Sequence, residues 1–201
     1  MSWTVVTSLA IFAFVASITP GPNNLMLMAS GANFGLRRTG PHMAGVSLGF
    51  PAMILIIGLA FGGLIAAAPQ VYGVLRWVSM AYLLWLAWKI ATAKGVGGDT
   101  AGAKPMTFLQ AVAFQWLNPK AWAAALGGVS LYAARDHFAI NVMLVATTFA
   151  VVGAPSILGW TAFGLGLKRF LARPRTLRVF NLSMAGLLVL SLYPMLTEHF
   201  G

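Results

Sequence analysis

Cysteine is absent from the 201 residues, and acids nearly so: Asp99, Asp136 and Glu198 are the whole carboxylate inventory. Without thiols there is no disulfide framework and no thiol chemistry. That removes one class of six-helix membrane carrier, the kind that passes reducing equivalents through paired thiols. Histidine is equally scarce, at three residues. Scattered acids and histidines assemble no nucleophile with its acid and base and no metal-ligand cluster, so neither an enzyme, a cofactor nor a resident metal is expected.

What the chain has instead is apolar surface. Hydrophobic residues make up 59% and charged residues 8%, with a mean hydropathy of +0.83. In water such a composition would leave large contiguous apolar patches, whereas in a bilayer those patches face lipid. Six apolar runs, roughly 3–34, 41–66, 70–90, 106–134, 138–167 and 177–197, predict an all-α integral membrane protein of one domain. Residues 1–20 lack a positive n-region and read as part of the first span rather than as a cleaved signal peptide. The Gly/Ala-rich stretch 94–105 reads as a linker between a first half, 1–93, and a second, 106–201.

Lys plus Arg number 13 against 3 acids, an excess that could suggest nucleic acid, but position argues otherwise. The connections after spans one, three and five carry ten cations: Arg37, Arg38, Lys89, Lys94, Lys104, Lys168, Arg169, Arg173, Arg175 and Arg178. The other side has Arg76 and Arg135, and Lys120 lies within a span. The positive-inside rule makes the rich side cytoplasmic and puts both termini outside. Anionic lipid headgroups, not nucleic acid, are the expected partner of these cations.

The hydrophobic script is written twice. Gly49 and Pro51 recur as Gly153 and Pro155, and Ser79-Met80-Ala81 recurs as Ser183-Met184-Ala185, each 104 residues on. Leu83-Leu84 and Leu187-Leu188 follow at the same offset, while Pro22 and Pro119 are 97 apart. Seven extra residues in the second half, around the Arg135 loop, reconcile the two offsets. Three spans per copy force the copies into opposite orientations, which predicts an inverted 3+3 repeat with helices 1 and 4 broken.

The breaks are Thr19-Pro20-Gly21-Pro22-Asn23-Asn24 and Trp116-Leu117-Asn118-Pro119-Lys120-Ala121-Trp122. Proline removes a donor and glycine permits unusual dihedrals, and unpaired backbone groups in hydrocarbon cost on the order of several kcal/mol each. Such segments must line a cavity or pack on protein. Paired interruptions in two halves point to a transporter's substrate site. A half-helix starting near Asn23 would aim N–H groups at a carboxylate, and freed carbonyls with the amides of Asn23, Asn24 and Asn118 would take an ammonium group. The expected substrate-binding set is Gly21, Asn23, Asn24, Gln115, Asn118 and Lys120, with Pro20, Pro22 and Pro119 holding the breaks open. Lys120 has two readings, a cap for carbonyls at a break and a partner for the substrate carboxylate. Trp116 and Trp122 flank the second break as candidate pocket walls. Gly31/Gly35, Gly45/Gly49 and Gly58/Gly62 read as helix-packing grooves. His42 and His137 read first as solvated loop residues near the membrane mouths.

The motif at 19–24, the run Phe114-Gln115-Trp116-Leu117-Asn118-Pro119-Lys120-Ala121-Trp122 and the stretch from Ala81-Tyr82-Leu83 to Trp88-Lys89 together resemble the LysE/RhtB-type amino-acid exporter family. Pro155 and Leu177-Arg178-Val179-Phe180-Asn181 extend the resemblance over essentially the whole chain. Gly45-Val46-Ser47-Leu48-Gly49-Phe50 and Trp85-Leu86-Ala87-Trp88-Lys89-Ile90-Ala91-Thr92 look most like the cysteine/O-acetylserine exporters. The resemblance implies ion-driven export of amino acids or close derivatives through a bacterial inner membrane, and leaves room for a homodimer. Many members carry an acid early in the second span, where Phe50 stands here. Without it, a buried-carboxylate proton relay is unavailable and a cationic substrate such as lysine is disfavoured. A coupling proton would then ride on the substrate, on His42 or His137, or on Lys120. The expectation is a small neutral amino-acid exporter working by alternating access as one repeat rocks against the other. The rival readings are a divalent-metal or other small-solute exporter of the same fold, and a membrane protein that transports nothing.

Overall fold

The computed structural model describes residues 3–61, 77, 80, 81, 84, 85, 87, 88, 91, 92, 104–133, 137–171 and 173–190. Among these every regular element is helical. Much of the expected third span, most of the linker, Gly62, Arg76 and the three acids lie outside the described residues, as does the end of the last span.

Helix α1 runs Trp3–Ile18 and α2 Pro22–Ile56, continued by a π-helical turn, Ile57–Phe61. Then come α3 Phe108–Leu117, α4 Pro119–Tyr132, α5 Phe138–Leu171 and α6 Pro174–Leu190. Two stretches, Pro22–Leu59 and Phe138–Leu167, are long and apolar enough to cross a membrane. The first is not straight. Gly35, at φ 74° and ψ 171°, divides α2 into limbs of residues 22–34 and 36–56. That backbone region is essentially reserved for glycine. Ser30 Oγ and Thr39 Oγ1 lie 2.9 Å apart, although nine residues of straight helix would separate their backbones by roughly 13 Å. The limbs therefore fold back on each other, and Arg37 and Arg38 sit exposed at the turn, the latter over the Phe34 ring at 5.3 Å. The fold-back at Gly35 agrees with the expected end of the first span near residue 34.

Local sequence explains the other boundaries. Thr107 and Gln110 form a capping box at α3: Thr107 Oγ1 accepts from Gln110 N at 3.3 Å, and Gln110 Oε1 accepts from Thr107 N at 3.0 Å. Both α2 and α4 open with proline at the first helical position, where its missing N–H costs nothing.

Glycines set the closest packing. A Cβ on Gly31 would collide with the Thr161 carbonyl, and one on Gly164 with that of Met28, so limb one and α5 meet backbone to backbone. Limb two meets α3 in the same way, through Gly45 against Phe108 and Ala111 and Gly49 against Val112. Gly58 packs on Val142. Gly35 differs from the expected groove role, since nothing would touch its Cβ and its dihedrals are its purpose. The largest buried apolar cluster joins α1, limb two, α4 and α5 through Leu9, Ala13, Met53, Ala125, Val142 and Phe149. Ile11, Leu48, Leu109, Ile140, Val151 and Phe163 stand more than half exposed, a surface suited to lipid.

Candidate functional site

The first break is built by subtraction. A continuing helix would bond the N–H groups of residues 20 and 22 to the carbonyls of Ala16 and Ile18, and Pro20 and Pro22 have none to give. The carbonyls of Ser17, Ile18 and Thr19, at the end of α1, find donors elsewhere. Asn24 Nδ2 donates to Ser17 O at 2.7 Å and to Thr19 O at 2.9 Å. Ser156 Oγ on α5 donates to Ser17 O at 2.9 Å, and the Trp160 indole reaches Ile18 O at 3.3 Å. Lys120 Nζ, from the other break, donates to Thr19 O and, at 3.4 Å, to Pro20 O.

The second break is narrower, a single residue between α3 and α4. Asn118 N donates to Gln115 O at 3.2 Å, and its side-chain oxygen caps α4 by accepting from Lys120 N at 3.1 Å. Gln115 is fully buried. Its amide donates to Ala111 O at 2.8 Å and to Asn23 Oδ1 at 3.3 Å, while Asn23 Nδ2 donates back to Gln115 Oε1 at 2.8 Å.

The result is a crossed clasp. Asn23 and Lys120 are 97 residues apart, the offset of the two prolines, and both sit at the second position of their half-helices. Each reaches over to the opposite break, Asn23 to Gln115 and Lys120 to the carbonyls of Thr19 and Pro20.

The clasp borders an open cavity of about 620 Å³, its mouth included. Its lining combines polar groups, from Ser17, Asn23, Asn24, Ser47, Asn118, Lys120 and Ser156, with apolar ones, from Val46, Phe50, Phe149, Ala150 and Ile157. Phe50 and Phe149 meet edge to face at 5.2 Å. Among the described lining residues Lys120 is the single cation and no carboxylate occurs. Lys120 spends two of its three donors on carbonyls, and the third has no partner among the described residues. Gly21 caps α2 without any side-chain bond, so the positive end of that helix opens on the same space.

Of the expected residues, Gly21, Asn23, Asn24, Asn118 and Lys120 border the cavity. Gln115 stands behind Asn23 and is not part of the wall. Trp116 and Trp122 are not part of it either: their rings stack edge to face at 5.7 Å, and Trp122 Nε1 donates to Trp116 O at 2.9 Å. Sequence reasoning missed Ser17, Ser47, Ser156 and Phe149. Gly153 and Pro51, two members of the recurring Gly-x-Pro pair, also face the cavity, and that recurrence was the available signal.

A profile of known translocators matches residues 14–192 of the chain, under the description LysE type translocator. The chain belongs to the LysE type translocator family. Among its relatives is the cysteine/O-acetylserine efflux protein of Escherichia coli K12, 31% identical over 191 residues, covering 94% of this chain and 96% of that one. The protein of the same name from Klebsiella pneumoniae is 31% identical over 94% of this chain and 95% of its own. That of Salmonella typhimurium LT2 is 33% identical over 76% and 78%. No solved structure matches.

Proposed function

We propose that this LysE-family protein is a secondary transporter that exports small neutral amino acids or their derivatives, of the cysteine/O-acetylserine or threonine/homoserine/serine type, from the bacterial cytoplasm by alternating access. The observation that carries the reading is the meeting of two broken helices over one cavity that offers a cation, a helix N-terminus, amides and hydroxyls but no described carboxylate. A zwitterion suits that set. Its carboxylate faces the free donor of Lys120 and the uncapped end of α2, and its ammonium faces the Ser17 and Ser156 hydroxyls. Phe50 and Phe149 leave the side chain an apolar floor, on which a charged lysine side chain finds no counter-ion.

In this reading Gly21, Asn23, Asn24, Asn118 and Lys120 touch substrate, Gln115 positions Asn23, and Pro20, Pro22 and Pro119 keep the breaks from closing. The six spans form an inverted repeat in the inner membrane, with the ten-cation side cytoplasmic and both termini outside. Support comes from the 97-residue correspondence of the clasp partners and from the relatives' efflux names. A divalent cation as cargo would call for carboxylate or imidazole ligands, and the described lining supplies neither.

Counterflow of labelled amino acids in proteoliposomes tests the reading. Saturable exchange of cysteine, O-acetylserine, serine, threonine or homoserine, without exchange of lysine, is expected. Exchange of none of them by folded protein would overturn it.

A further inference from the structure

His42 is not the solvated loop residue its position suggested. It is 1% exposed, and neither Nδ1 nor Nε2 has a hydrogen-bond partner among the described residues. A neutral imidazole has one donor and one acceptor, and leaving both buried and unpaired is a standing cost that native interiors rarely carry without a reason. His42 does not border the cavity, so substrate does not supply the missing partner.

Its setting supplies the reason. His42 shares the buried stripe of limb two with Thr39, Val46, Gly49 and Met53. Thr39 is one turn away toward Gly35 and on the same face, and its hydroxyl is paired with Ser30 across the fold-back. One turn the other way, Gly45 rides on the backbone of α3. Limb one and α3 contain no ionisable residue, α4 has Lys120, committed to the first break, and Tyr132 at its other end, whose hydroxyl donates to Ser8 O, and α5 has only Lys168 and Arg169 at its far end. On α6 the ionisable groups are Arg175 and Arg178, and on limb two itself Arg37 and Arg38 are exposed. No acid occurs on any of these elements. A proton added to His42 in this arrangement has no carboxylate among the described residues to answer it. Hydroxyl acceptors stand one turn along the stripe at Thr39 and, across the fold-back, at Ser30.

We propose that His42 is the proton-binding site that biases the conformational cycle. The ring is neutral and unpartnered in the arrangement described here, and protonated in one where limb two shifts and the ring donates to the Ser30–Thr39 hydroxyl pair. The purpose of such a site rests on the export reading, but its test does not. The absence of cysteine makes Ala124→Cys, in the cavity wall, the sole thiol of the molecule. Its rate of modification by a membrane-impermeant maleimide is measured in proteoliposomes from about pH 8 to about pH 5.5, the interval in which an imidazole changes charge. Each rate is divided by that of the same thiol in the His42→Gln background, which cancels the thiol's own pH dependence. The ratio is expected to change severalfold across the interval, and Thr39→Val, which keeps His42 but removes its acceptor, is expected to move the change to lower pH. A ratio constant with pH would overturn the proposal, as would a Thr39→Val curve identical to that of the unaltered background. Should His42→Gln not fold, the rate in SDS-unfolded protein at each pH replaces it as divisor, and the same two outcomes overturn the proposal. Counterflow on the same vesicles judges export separately, so failure of one reading does not disguise failure of the other.

Discussion

Adding one carbon at position 21 should unfasten the clasp. The backbone of Gly21 is extended, at φ −174° and ψ 176°, a conformation open to any residue, so Gly21→Ala carries no conformational penalty of its own. Its Cβ, however, would stand 2.7 Å from Lys120 Cδ and 3.2 Å from Nζ, and the lysine must swing aside. Thr19 O then keeps Asn24 as a donor, but Pro20 O loses the only partner it has among the described residues. A hydrogen bond to a charged group contributes about 1.5–3 kcal/mol. Because one of the two carbonyls stays satisfied and the lysine can seek other partners, the net cost should be about 1–2 kcal/mol. Lys120→Met should cost a similar amount, and Gly21→Ala placed on top of Lys120→Met should add less than about 0.5 kcal/mol, a coupling of about 1 kcal/mol. SDS-driven unfolding in mixed micelles, followed by tryptophan fluorescence, measures all four corners of the cycle. Simple additivity of the two single costs would refute the reasoning.

Asn24→Ala removes the donor shared by Ser17 and Thr19 and Asn118→Ala the cap of α4; both should abolish counterflow while the protein remains in the membrane, and wild-type exchange by both would move the site elsewhere. On α5, Gly164→Ala should lower thermal stability by about 1–3 kcal/mol because its methyl group meets the Met28 backbone, whereas Gly159→Ala and Gly166→Ala, with nothing near, should be neutral or stabilising by up to about 1 kcal/mol. Thr107→Ala should cost about 1 kcal/mol through loss of the α3 capping box, read as a lower unfolding midpoint with transport intact. Gly35→Ala should lower the same midpoint although its methyl group would touch nothing, since the penalty lies in its positive φ.

The breaks were legible because proline and glycine act locally: Pro20, Pro22 and Pro119 forbid particular backbone bonds whatever surrounds them. The offset of 97 residues between Pro22 and Pro119 aligns the two breaks, and the structure adds that the residues following them, Asn23 and Lys120, cross to the opposite break. What took up the freed carbonyls was not legible, since Ser156 and Trp160 come from a helix more than a hundred residues away and nothing near them in the chain marks them as donors. The glycine pairs show a different limit. Gly31 and Gly35 have the same spacing as Gly45 and Gly49, yet only a φ angle and a neighbour's backbone distinguish a hinge from a groove. His42 was misread because Arg37, Arg38 and Pro41 suggest a mouth, while the helical stripe through Thr39, Val46 and Gly49 carries the ring inward.

The glycine contacts have a mechanical meaning. Where backbone rests on backbone, no side chain is present to change rotamer and absorb a slide, so limb one travels with α5 and limb two with α3. Each pair takes one member from either half of the chain. If the molecule alternates access as proposed, the seam along which it parts runs across the two halves of the chain, and its rigid bodies draw on both halves rather than coinciding with them.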